Sequence, residues 1–461
     1  MMWSLVMLAS IISAEAVRLP ALQAEISGDA FARAESGAEG GEADHVRMGS
    51  EGEGALTWRP RMEVAGRYRI GLEVATPYGT KGYRLEINGV AYRGFFRGKG
   101  GFTERAVTLV ELPAGESVIT LRRGWGSYDV RALEIEPAAG PYPAPLAVPE
   151  KLTDPQATRE AQALYDKMRE GYGRVTLSGQ YRTFGQRDFA EADYVERTTG
   201  RWPLIYGADL MPFSPSFAEK EAPPWALVDD MIAAGRAGHV VALMWHWTVP
   251  VPAGAPYYKG FNTQPGGFDA AKAAKPGTPE QARLLTDLDA IAPVLKRLAD
   301  AGIPVLWRPL HEPENGAFWW GSAGPEAYRA LWRLTRERLE KYHGLHNLIW
   351  VYSPAEMVDL DWYPGDDVVD MVAPDLYPDD PRDPLTDGWQ VCSEYFAGRK
   401  LLGLGEVGGV PDLPQQQALG VRWGFFLSWT EKLGPSGVKP EFLREVYGDT
   451  HTLTWKAAAS R

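Results

Sequence analysis

Short stretches of alternating hydrophobic and polar residues fill roughly the first third of the chain. Turn-forming sequences such as Asn88-Gly89 and Pro113-Ala114-Gly115 separate them, and no stretch with helical periodicity interrupts the series. Alternation with a period of two places one face of a strand in a core and the other in solvent. The pattern therefore predicts a small all-β sandwich over residues 17–138, with strands at residues 68–74, 83–87, 106–110 and 117–121.

From residue 156 onwards the pattern changes to nearly continuous apolar runs that alternate with amphipathic stretches, such as residues 157–172, 282–301 and 325–343. Strands that are buried on both faces show such unbroken runs, and intervening helices allow them to lie parallel. Eight units of this kind predict an α/β fold, a (β/α)₈ TIM barrel over residues 156–461. The predicted strands are residues 175–180, 204–210, 240–247, 304–312, 348–352, 368–377, 401–407 and 423–429.

Two segments lie outside the predicted domains. Residues 139–155 are rich in proline, which fixes φ and disfavours helix, so they are expected to form a semi-rigid linker. Residues 1–16 are apolar and end in Ala14-Glu15-Ala16, the small-x-small pattern of a signal peptidase site. This run is too short to span a membrane, so it predicts a signal peptide and a secreted, extracytoplasmic protein.

Composition narrows the classes of partner. The chain has 461 residues, a formal net charge of -12 and no long basic run, which argues against nucleic acid or an anionic membrane surface as a partner. The single cysteine, Cys392, excludes an intrachain disulfide. Both predicted domains have enough apolar residues to fold by themselves, so we expect a monomer.

Five of the predicted barrel strands end in polar or aromatic residues. In a (β/α)₈ barrel the carboxyl ends of all strands meet at one face, so these side chains are expected to line one cavity. A single polar strand end is also explained by a satisfied His-Glu pair beside an aromatic core, but five such ends favour a functional site. They are Trp245-His246-Trp247, His311-Glu312, Asp375-Leu376-Tyr377, Glu406 and Ser428-Trp429.

Two of these residues are glutamates, Glu312 on the fourth predicted strand and Glu406 on the seventh. Glycoside hydrolysis requires one carboxylic acid to protonate the leaving oxygen and a second carboxylate on the other side of the sugar ring. Strands four and seven lie on opposite sides of an eight-stranded barrel, so the two carboxylates can face each other across a bound sugar. The aromatic residues nearby suit the apolar faces of sugar rings.

The stretch Arg308-Pro309-Leu310-His311-Glu312, followed by Phe318-Trp319-Trp320-Gly321, resembles the signature of glycoside hydrolase family 26, the β-mannanase family. Ala317 stands where the family often has another tryptophan, which removes one aromatic sugar contact. The resemblance covers nearly all of residues 155–455. It includes Leu177-Ser178-Gly179-Gln180, Trp245-His246-Trp247, Trp362-Tyr363-Pro364-Gly365, Asp375-Leu376-Tyr377, Gly405-Glu406-Val407-Gly408 and Trp429.

This resemblance implies a role for each side chain. Glu312 is expected to be the acid/base, with a pKa raised by apolar surroundings. Glu406 is expected to be the nucleophile of a retaining double displacement, held in line by Tyr377. Asp375 and Arg308 either support the site or contact the sugar, with support favoured for Arg308. The other implied substrate contacts are His246, Trp247, His311, Phe318, Trp319, Trp320 and Trp429.

The N-terminal domain resembles a family 35 carbohydrate-binding module through Gln23-Ala24-Glu25, Leu85-Glu86-Ile87-Asn88-Gly89 and Trp125-Gly126-Ser127-Tyr128-Asp129. The resemblance implies a polysaccharide ligand, for which Trp125 is the candidate contact; packing of this ring in the core is the alternative. Such modules often hold a structural calcium. Arg131 stands where an aspartate is usual and would repel a cation, which argues against calcium there.

The resulting hypothesis is a secreted, retaining endo-β-1,4-mannanase that needs no cofactor for catalysis and acts on mannan or a related β-glycan. Three alternatives stay open at this point. The chain could cut mixed-linkage β-1,3-1,4-glucan or β-1,3-xylan, bind polysaccharide without cutting it, or use a metal. Among cofactor sites, the sequence has no P-loop, no dinucleotide-binding fingerprint and no second histidine after His311-Glu312 to form a zinc motif.

Overall fold

The computed structural model describes residues 16–34, 43–96, 100–137, 147–184, 189–251, 253–263, 268–356, 358–378 and 380–455. The predicted signal peptide, apart from Ala16, the last residue of the predicted sandwich, Ala138, and residues 139–146 of the predicted linker lie outside these ranges. The chain divides into two compact units, Met1–Pro141 and Tyr142–Arg461. Within the described residues, no helix is both long and apolar enough to cross a membrane.

The first unit is built from antiparallel strands. One sheet has the order β10-β7-β13-β4-β3, with β1 also paired to β13, and a second has the order β2-β5-β12-β8-β9. A separate ribbon pairs β11 with β6. The strands are β1 (Val17–Pro20), β2 (Glu25–Ser27), β3 (Ala30–Arg33), β4 (His45–Met48), β5 (Ala55–Trp58), β6 (Arg61–Met62), β7 (Gly66–Ala75), β8 (Lys81–Ile87), β9 (Val90–Phe96), β10 (Thr103–Leu112), β11 (Gly115–Glu116), β12 (Ile119–Trp125) and β13 (Tyr128–Pro137).

The alternating residues of these strands supply one shared core, which includes Ile70, Leu72, Leu85, Ile119 and Leu121. The predicted all-β class is therefore confirmed. The strand predicted at 117–121 begins instead at Ile119. The reason is local, since the Asn88 turn bonds Val118 through both its side-chain oxygen and its backbone N–H.

The second unit alternates strands and helices. Its strands are β14 (Thr176–Leu177), β15 (Gly179–Tyr181), β16 (Ile205–Asp209), β17 (Val240–Trp245), β18 (Val305–Pro309), β19 (Leu348–Tyr352), β20 (Met371–Val372), β21 (Asp375–Leu376), β22 (Leu401–Leu402), β23 (Leu404–Val407), β24 (Phe426–Ser428) and β25 (Thr452–Leu453). Its helices are α1 (Arg159–Gly171), α2 (Ala190–Thr199), α3 (Pro215–Ala218), α4 (Trp225–Arg236), α5 (Ala270–Ala273), α6 (Pro279–Asp300), α7 (Pro325–Glu337), α8 (Thr386–Phe396), α9 (Leu413–Leu419) and α10 (Pro440–Gly448).

Parallel pairing closes these strands into the predicted eight-stranded barrel. Strands β15 to β19 pair in sequence order, and β24 pairs with both β23 and β15. The sixth barrel strand is divided into β20 and β21, and the seventh into β22 and β23. Each half pairs with its counterpart, β20 with β22 and β21 with β23, so the ring continues across the interruption. The short pair β14 and β25 lies outside this ring.

Candidate active site

The segment that follows β18 has an unusual backbone. Leu310 and Glu312 both adopt positive φ, 50° and 47° respectively, although neither is glycine. Such a conformation costs about 1–3 kcal/mol per residue, and surrounding contacts must hold it. Two carbonyl groups of this segment are bonded: the Tyr328 hydroxyl donates to the Leu310 oxygen at 3.0 Å, and the Trp320 indole donates to the His311 oxygen at 2.8 Å.

Glu312 is only partly buried. Its backbone N–H donates to the backbone carbonyl oxygen of Ser353 at 2.7 Å. The Asn315 amide donates to one carboxyl oxygen, and Asp375 shares a hydrogen bond with the carboxyl. Removal from water raises the pKa of Glu312 to about 7, and the negative charge of Glu406 acts in the same direction. The group can therefore carry a proton near neutral pH.

Glu406 lies within β23 and is 4% exposed. Arg308 donates to one of its oxygens, and the Tyr377 hydroxyl donates to the other. Burial raises the pKa of Glu406 to about 7, and Asp375 acts in the same direction, while Arg308 and Tyr377 limit the rise. Gly405 precedes it, and a Cβ there would lie 2.5 Å from the Ser353 hydroxyl, so β23 approaches its neighbours too closely for a side chain.

Arg308 connects the buried acids. One Nη donates to Asp375 at 2.9 Å and to the Ser353 hydroxyl at 3.0 Å, while the other donates to Glu406. Its Nε lies 3.1 Å from the Tyr181 hydroxyl. Arg308 is 3% exposed, and every one of these partners is a protein group. These bonds fit the supporting role expected for Arg308.

The three acids form one cluster. One oxygen each from Glu312, Asp375 and Glu406 lies within 4.8 Å of the other two. Burial raises the pKa of Asp375 to about 8, Arg308 lowers it, and Glu312 raises it. Carboxylate oxygens are suitable ligands for a hard cation. The Arg308 guanidinium already donates to Asp375 and Glu406, so two of the three acids are paired with a positive charge.

His246 and His311 lie side by side, with 3.2 Å between their Nε2 atoms. The other ring nitrogen of His246 is 2.8 Å from Asp209 Oδ2. Both nitrogens of His246 are thus committed inside the protein. This differs from the expected sugar contacts, because a sugar hydroxyl could reach His246 only by displacing one of these partners.

The expected aromatic wall lies in the interior. Trp247, Trp319 and Trp320 are each at most 1% exposed, and their indole N–H groups donate to Asp287, to the Trp247 oxygen and to the His311 oxygen respectively. Phe318 stacks on Trp320 with 4.6 Å between ring centres. These rings were expected to touch substrate. They are buried here, and Phe318 and Trp320 pack against the His311 ring.

Two of the expected aromatic contacts remain accessible. Trp429 and Tyr377 are both half-buried, and Trp429 meets the Tyr181 ring edge-on at 5.6 Å. The sequence prediction missed Tyr181, Asp209 and Ser353. Tyr181 and Asp209 end β15 and β16, and Ser353 directly follows β19. Their position at carboxyl ends of barrel strands was the available signal.

In the N-terminal unit Trp125 is 43% exposed, so it does not pack in the sandwich core. Its ring lies against Gly82, and the Lys81 Nζ is 5.5 Å from the ring centre. Arg131 stacks on Phe102, 3.7 Å from the ring centre, and bonds Asp44 at 3.2 Å. The carboxylate of Asp44 is thus already paired with a cation.

The model of glycosyl hydrolase family 26 matches residues 153–457, which include every residue of the cluster described above. The chain belongs to glycosyl hydrolase family 26. The model of carbohydrate binding module family 35 matches residues 19–138, within the antiparallel unit. Both resemblances noted from the sequence are confirmed. The chain is therefore a glycoside hydrolase with an N-terminal carbohydrate-binding module.

Individual relatives cover both units. The mannan endo-1,4-beta-mannosidase of Thermothelomyces thermophilus is 33% identical over 458 residues, which is 96% of this chain and 90% of that protein. The crystal structure of the GH26-CBM35 β-(1,4)-mannanase of Podospora anserina has a TM-score of 0.67 at 33% identity, and the match covers 96% of this chain and 98% of that one.

A third similarity covers about two thirds of the chain. The β-mannanase from a symbiotic protist of the termite Reticulitermes speratus, solved with a gluco-manno-oligosaccharide, has a TM-score of 0.61 at 29% identity. The match covers 68% of this chain and 98% of that one.

Proposed function

We propose that the chain is a retaining endo-β-1,4-mannanase with Glu406 as nucleophile and Glu312 as acid/base. The observation that carries this proposal is the separation of the two carboxyl groups, which have oxygens within 4.8 Å of each other. Retaining glycosidases hold their two carboxyl groups about 5–5.5 Å apart, whereas inverting enzymes need about 6.5–9.5 Å to admit a water. The short distance favours direct attack by a carboxylate.

In the first step the Glu406 carboxylate attacks the anomeric carbon, and Glu312 gives its proton to the glycosidic oxygen as the bond to that oxygen breaks. The product is a covalent glycosyl-enzyme and a free sugar end. In the second step Glu312, now ionised, takes a proton from water, and the water oxygen attacks the anomeric carbon and releases Glu406. Configuration is retained because two displacements occur at the same carbon.

The hydrogen-bond donors around Glu406 and Glu312 support the proposed roles of nucleophile and acid/base. Arg308 and Tyr377 donate to both oxygens of Glu406, which stabilises its anion. Glu312 has no cationic donor among its described hydrogen-bond partners, only the Asn315 amide and Asp375, which supports its proposed role as the proton donor. Half-buried Trp429 and Tyr377 are the proposed sugar contacts at the cleavage point. Asp375, one of the predicted substrate contacts, is proposed as a supporting group because Arg308 and Ser353 donate to its oxygens and it also shares a hydrogen bond with Glu312.

The choice of mannan as substrate rests on relatives that carry both units and are named mannanases. The test is release of reducing sugar from galactomannan, glucomannan, linear β-1,4-mannan, barley β-glucan and β-1,3-xylan. We expect release from the mannans and glucomannan only. Release from β-glucan or xylan alone would overturn the substrate and keep the mechanism. Binding without release from any polymer would favour a non-catalytic role.

We further propose that the steps need no cofactor, since carboxylates alone transfer the proton and form the covalent bond. Full activity in a strong chelator is the expected result, and loss that calcium restores would contradict it. Arg131, which stands where an aspartate is usual in such modules, forms an ion pair with Asp44. This pairing supports a module that folds without calcium at the position of Arg131. Calcium titration by calorimetry on the whole chain tests this.

We propose an organisation of signal peptide (residues 1–16), sugar-binding module (17–138), linker (139–155) and catalytic domain (156–461), exported as a monomer. Trp125, exposed on the module, is the proposed polysaccharide contact. Substitution Trp125→Ala should weaken retention in mannan affinity gels and leave hydrolysis of short oligosaccharides unchanged. Unaltered retention would remove Trp125 from the ligand site. Sequencing the amino terminus of the exported protein tests the signal peptide and export. Light scattering tests the oligomeric state.

A further inference from the structure

The carboxylate of Asp209, at the end of β16, is fully committed to neighbouring donors. Its Oδ1 accepts from the backbone N–H of Met211 at 2.9 Å and from that of His246 at 3.0 Å. Its Oδ2 lies 2.8 Å from Nδ1 of His246. The Asp209 side chain is 8% exposed, so these bonds are sheltered from water.

This arrangement fixes where the protons lie on two histidines. An ionised carboxylate only accepts, so His246 must carry its proton on Nδ1, and in the neutral ring Nε2 is then an acceptor. Nε2 of His311, 3.2 Å away, must therefore be the donor. The remaining nitrogen of His311 is buried without a described partner and carries no proton. The three side chains form one directed chain of hydrogen bonds.

The far end of this chain is joined to the strained segment. His311 lies between Leu310 and Glu312, the two residues with positive φ. Its backbone oxygen is bonded by Trp320, and its ring is held by His246 and packed against Phe318 at 4.7 Å. Fixing the ring and the carbonyl of His311 leaves the next residue little freedom to relax.

We propose that Asp209 is a positioning residue that acts through His246 and His311 to hold Glu312 in the geometry required for proton donation. This inference rests on the proposed role of Glu312 as acid/base. Asp209 does not touch the sugar in this scheme, and its removal affects the reaction only through the position of Glu312. A displacement of about 1 Å at a catalytic group can cost roughly 100-fold in rate.

The variant Asp209→Asn tests this chain of bonds with almost no change in size. The backbone N–H groups of Met211 and His246 need an acceptor, so the amide oxygen of the new side chain takes the place of Oδ1. The amide nitrogen then faces Nδ1 of His246 and donates to it. The tautomers of both histidines then reverse, and the buried nitrogen of His311 gains a proton without an acceptor. Nitrogen-15 NMR of the seven labelled histidines should show Nδ1-protonated His246 and Nε2-protonated His311 in the wild type, and the reverse in the variant.

Two substrates separate loss of proton donation from general damage. For mannotetraose, whose leaving group needs protonation, kcat/KM should fall about 10- to 100-fold in Asp209→Asn. For a 2,4-dinitrophenyl β-mannobioside, whose leaving group departs without a proton, kcat/KM should change less than about 3-fold, as a misplaced acid would predict. Equal losses on both substrates would overturn the proposal.

Asp287→Asn is the matched control. Asp287 is also buried and bonds Trp247, the residue after His246, at 2.8 Å, but it does not reach the histidine pair. Its loss should alter both substrates by the same factor. If Asp209→Asn does not fold, His246→Phe, which keeps a ring against Phe261 and Phe318, should show the same selective loss.

Glu312→Gln is the reference for the proposed function. If Glu312→Gln shows no preference for the activated substrate, the acid/base assignment fails. If Glu312→Gln shows the preference and neither Asp209→Asn nor His246→Phe does, only the positioning role fails.

Discussion

The two glutamates of the site occupy very different parts of the barrel. Glu406 lies inside a regular strand, is 4% exposed, and has a cationic donor on one oxygen and a phenol on the other. Glu312 lies just past a strand, on a backbone with φ of 47°, and a neutral amide is its neighbouring donor. The donors around Glu406 stabilise its anion, whereas Glu312 has no cationic donor among its described partners, and this difference supports the proposed roles of nucleophile and acid/base.

The difference shows how surroundings assign chemistry to identical side chains. A nucleophile must keep one position and stay ionised, which strong donors within a strand provide. An acid/base must gain and lose a proton in each cycle, so weaker donors and a neighbouring negative charge suit it. The backbone strain belongs to the second group alone, because its carboxyl must leave the strand direction to reach a leaving oxygen.

The largest effect is expected from Glu406→Ala, because no other group can form the covalent bond. Turnover of galactomannan should fall at least about 10⁴-fold while oligosaccharide binding by calorimetry persists. Glu445→Ala, a change at an exposed carboxylate paired with Arg382, should leave turnover unchanged. Near-normal hydrolysis by Glu406→Ala would mean that the nucleophile lies elsewhere.

Glu312→Ala should reduce hydrolysis of mannotetraose about 10²- to 10⁴-fold, the usual contribution of a general acid. Azide then distinguishes the two glutamates by the product formed. In Glu312→Ala, azide attacks the glycosyl-enzyme and gives a β-mannosyl azide; in Glu406→Ala, it takes the place of the carboxylate and gives an α-mannosyl azide. NMR of the products reads the configuration, and exchanged configurations would reverse the roles.

Tyr377→Phe should have a smaller effect, about 10-fold on kcat, since Arg308 still bonds Glu406. Removing the phenol removes a donor that stabilises the anion, so the pKa of Glu406 rises and the acidic limb of the pH–rate profile moves to higher pH. The measurement is kcat/KM from pH 4 to 9 for both forms. A shift of the alkaline limb instead would place Tyr377 beside the proton donor.

The smallest effect is on stability. Burial raises the pKa of Glu312 to about 7, so the folded state holds this proton more tightly than the unfolded chain. The associated stabilisation is present at low pH and is lost as pH rises towards and through 7. Glu312→Gln has no such loss, so it should exceed the wild type by about 1–3 kcal/mol in unfolding free energy at pH 8 and match it near pH 4. Urea titrations at pH 4 and pH 8 measure these unfolding free energies. If the variant differs from the wild type by the same amount at both pH values, the Glu312 carboxyl is solvated.

The barrel and the sandwich followed from hydrophobic periodicity, because both folds impose a regular alternation of buried and exposed positions. The predicted site came from strand ends that carry His, Glu, Asp, Tyr and Trp. The prediction used five of the eight barrel strands. The residues that it missed, Tyr181, Asp209 and Ser353, lie at the carboxyl ends of the other three strands. Each is a small or common side chain whose importance depends on a partner from a distant strand, which periodicity does not reveal.

The tryptophans show the converse difficulty. Trp247, Trp319 and Trp320 follow strand ends, as sugar contacts would, yet they are at most 1% exposed. An indole can serve either role, and the deciding factor is whether a buried acceptor exists for its N–H. Asp287 and two backbone oxygens supply those acceptors here, and sequence does not show such pairings.

The net charge of the three carboxylates and the Arg308 guanidinium also affects which polymers can enter the site. When two of these acids are ionised, their charges and that of Arg308 sum to about -1, and the whole chain is acidic as well, at -12. An uncharged polymer enters such a cavity without electrostatic cost. A chain bearing uronic acids or sulfate esters near the scissile bond is repelled, so among plant and algal glycans the enzyme would select the neutral stretches and stop at charged decorations.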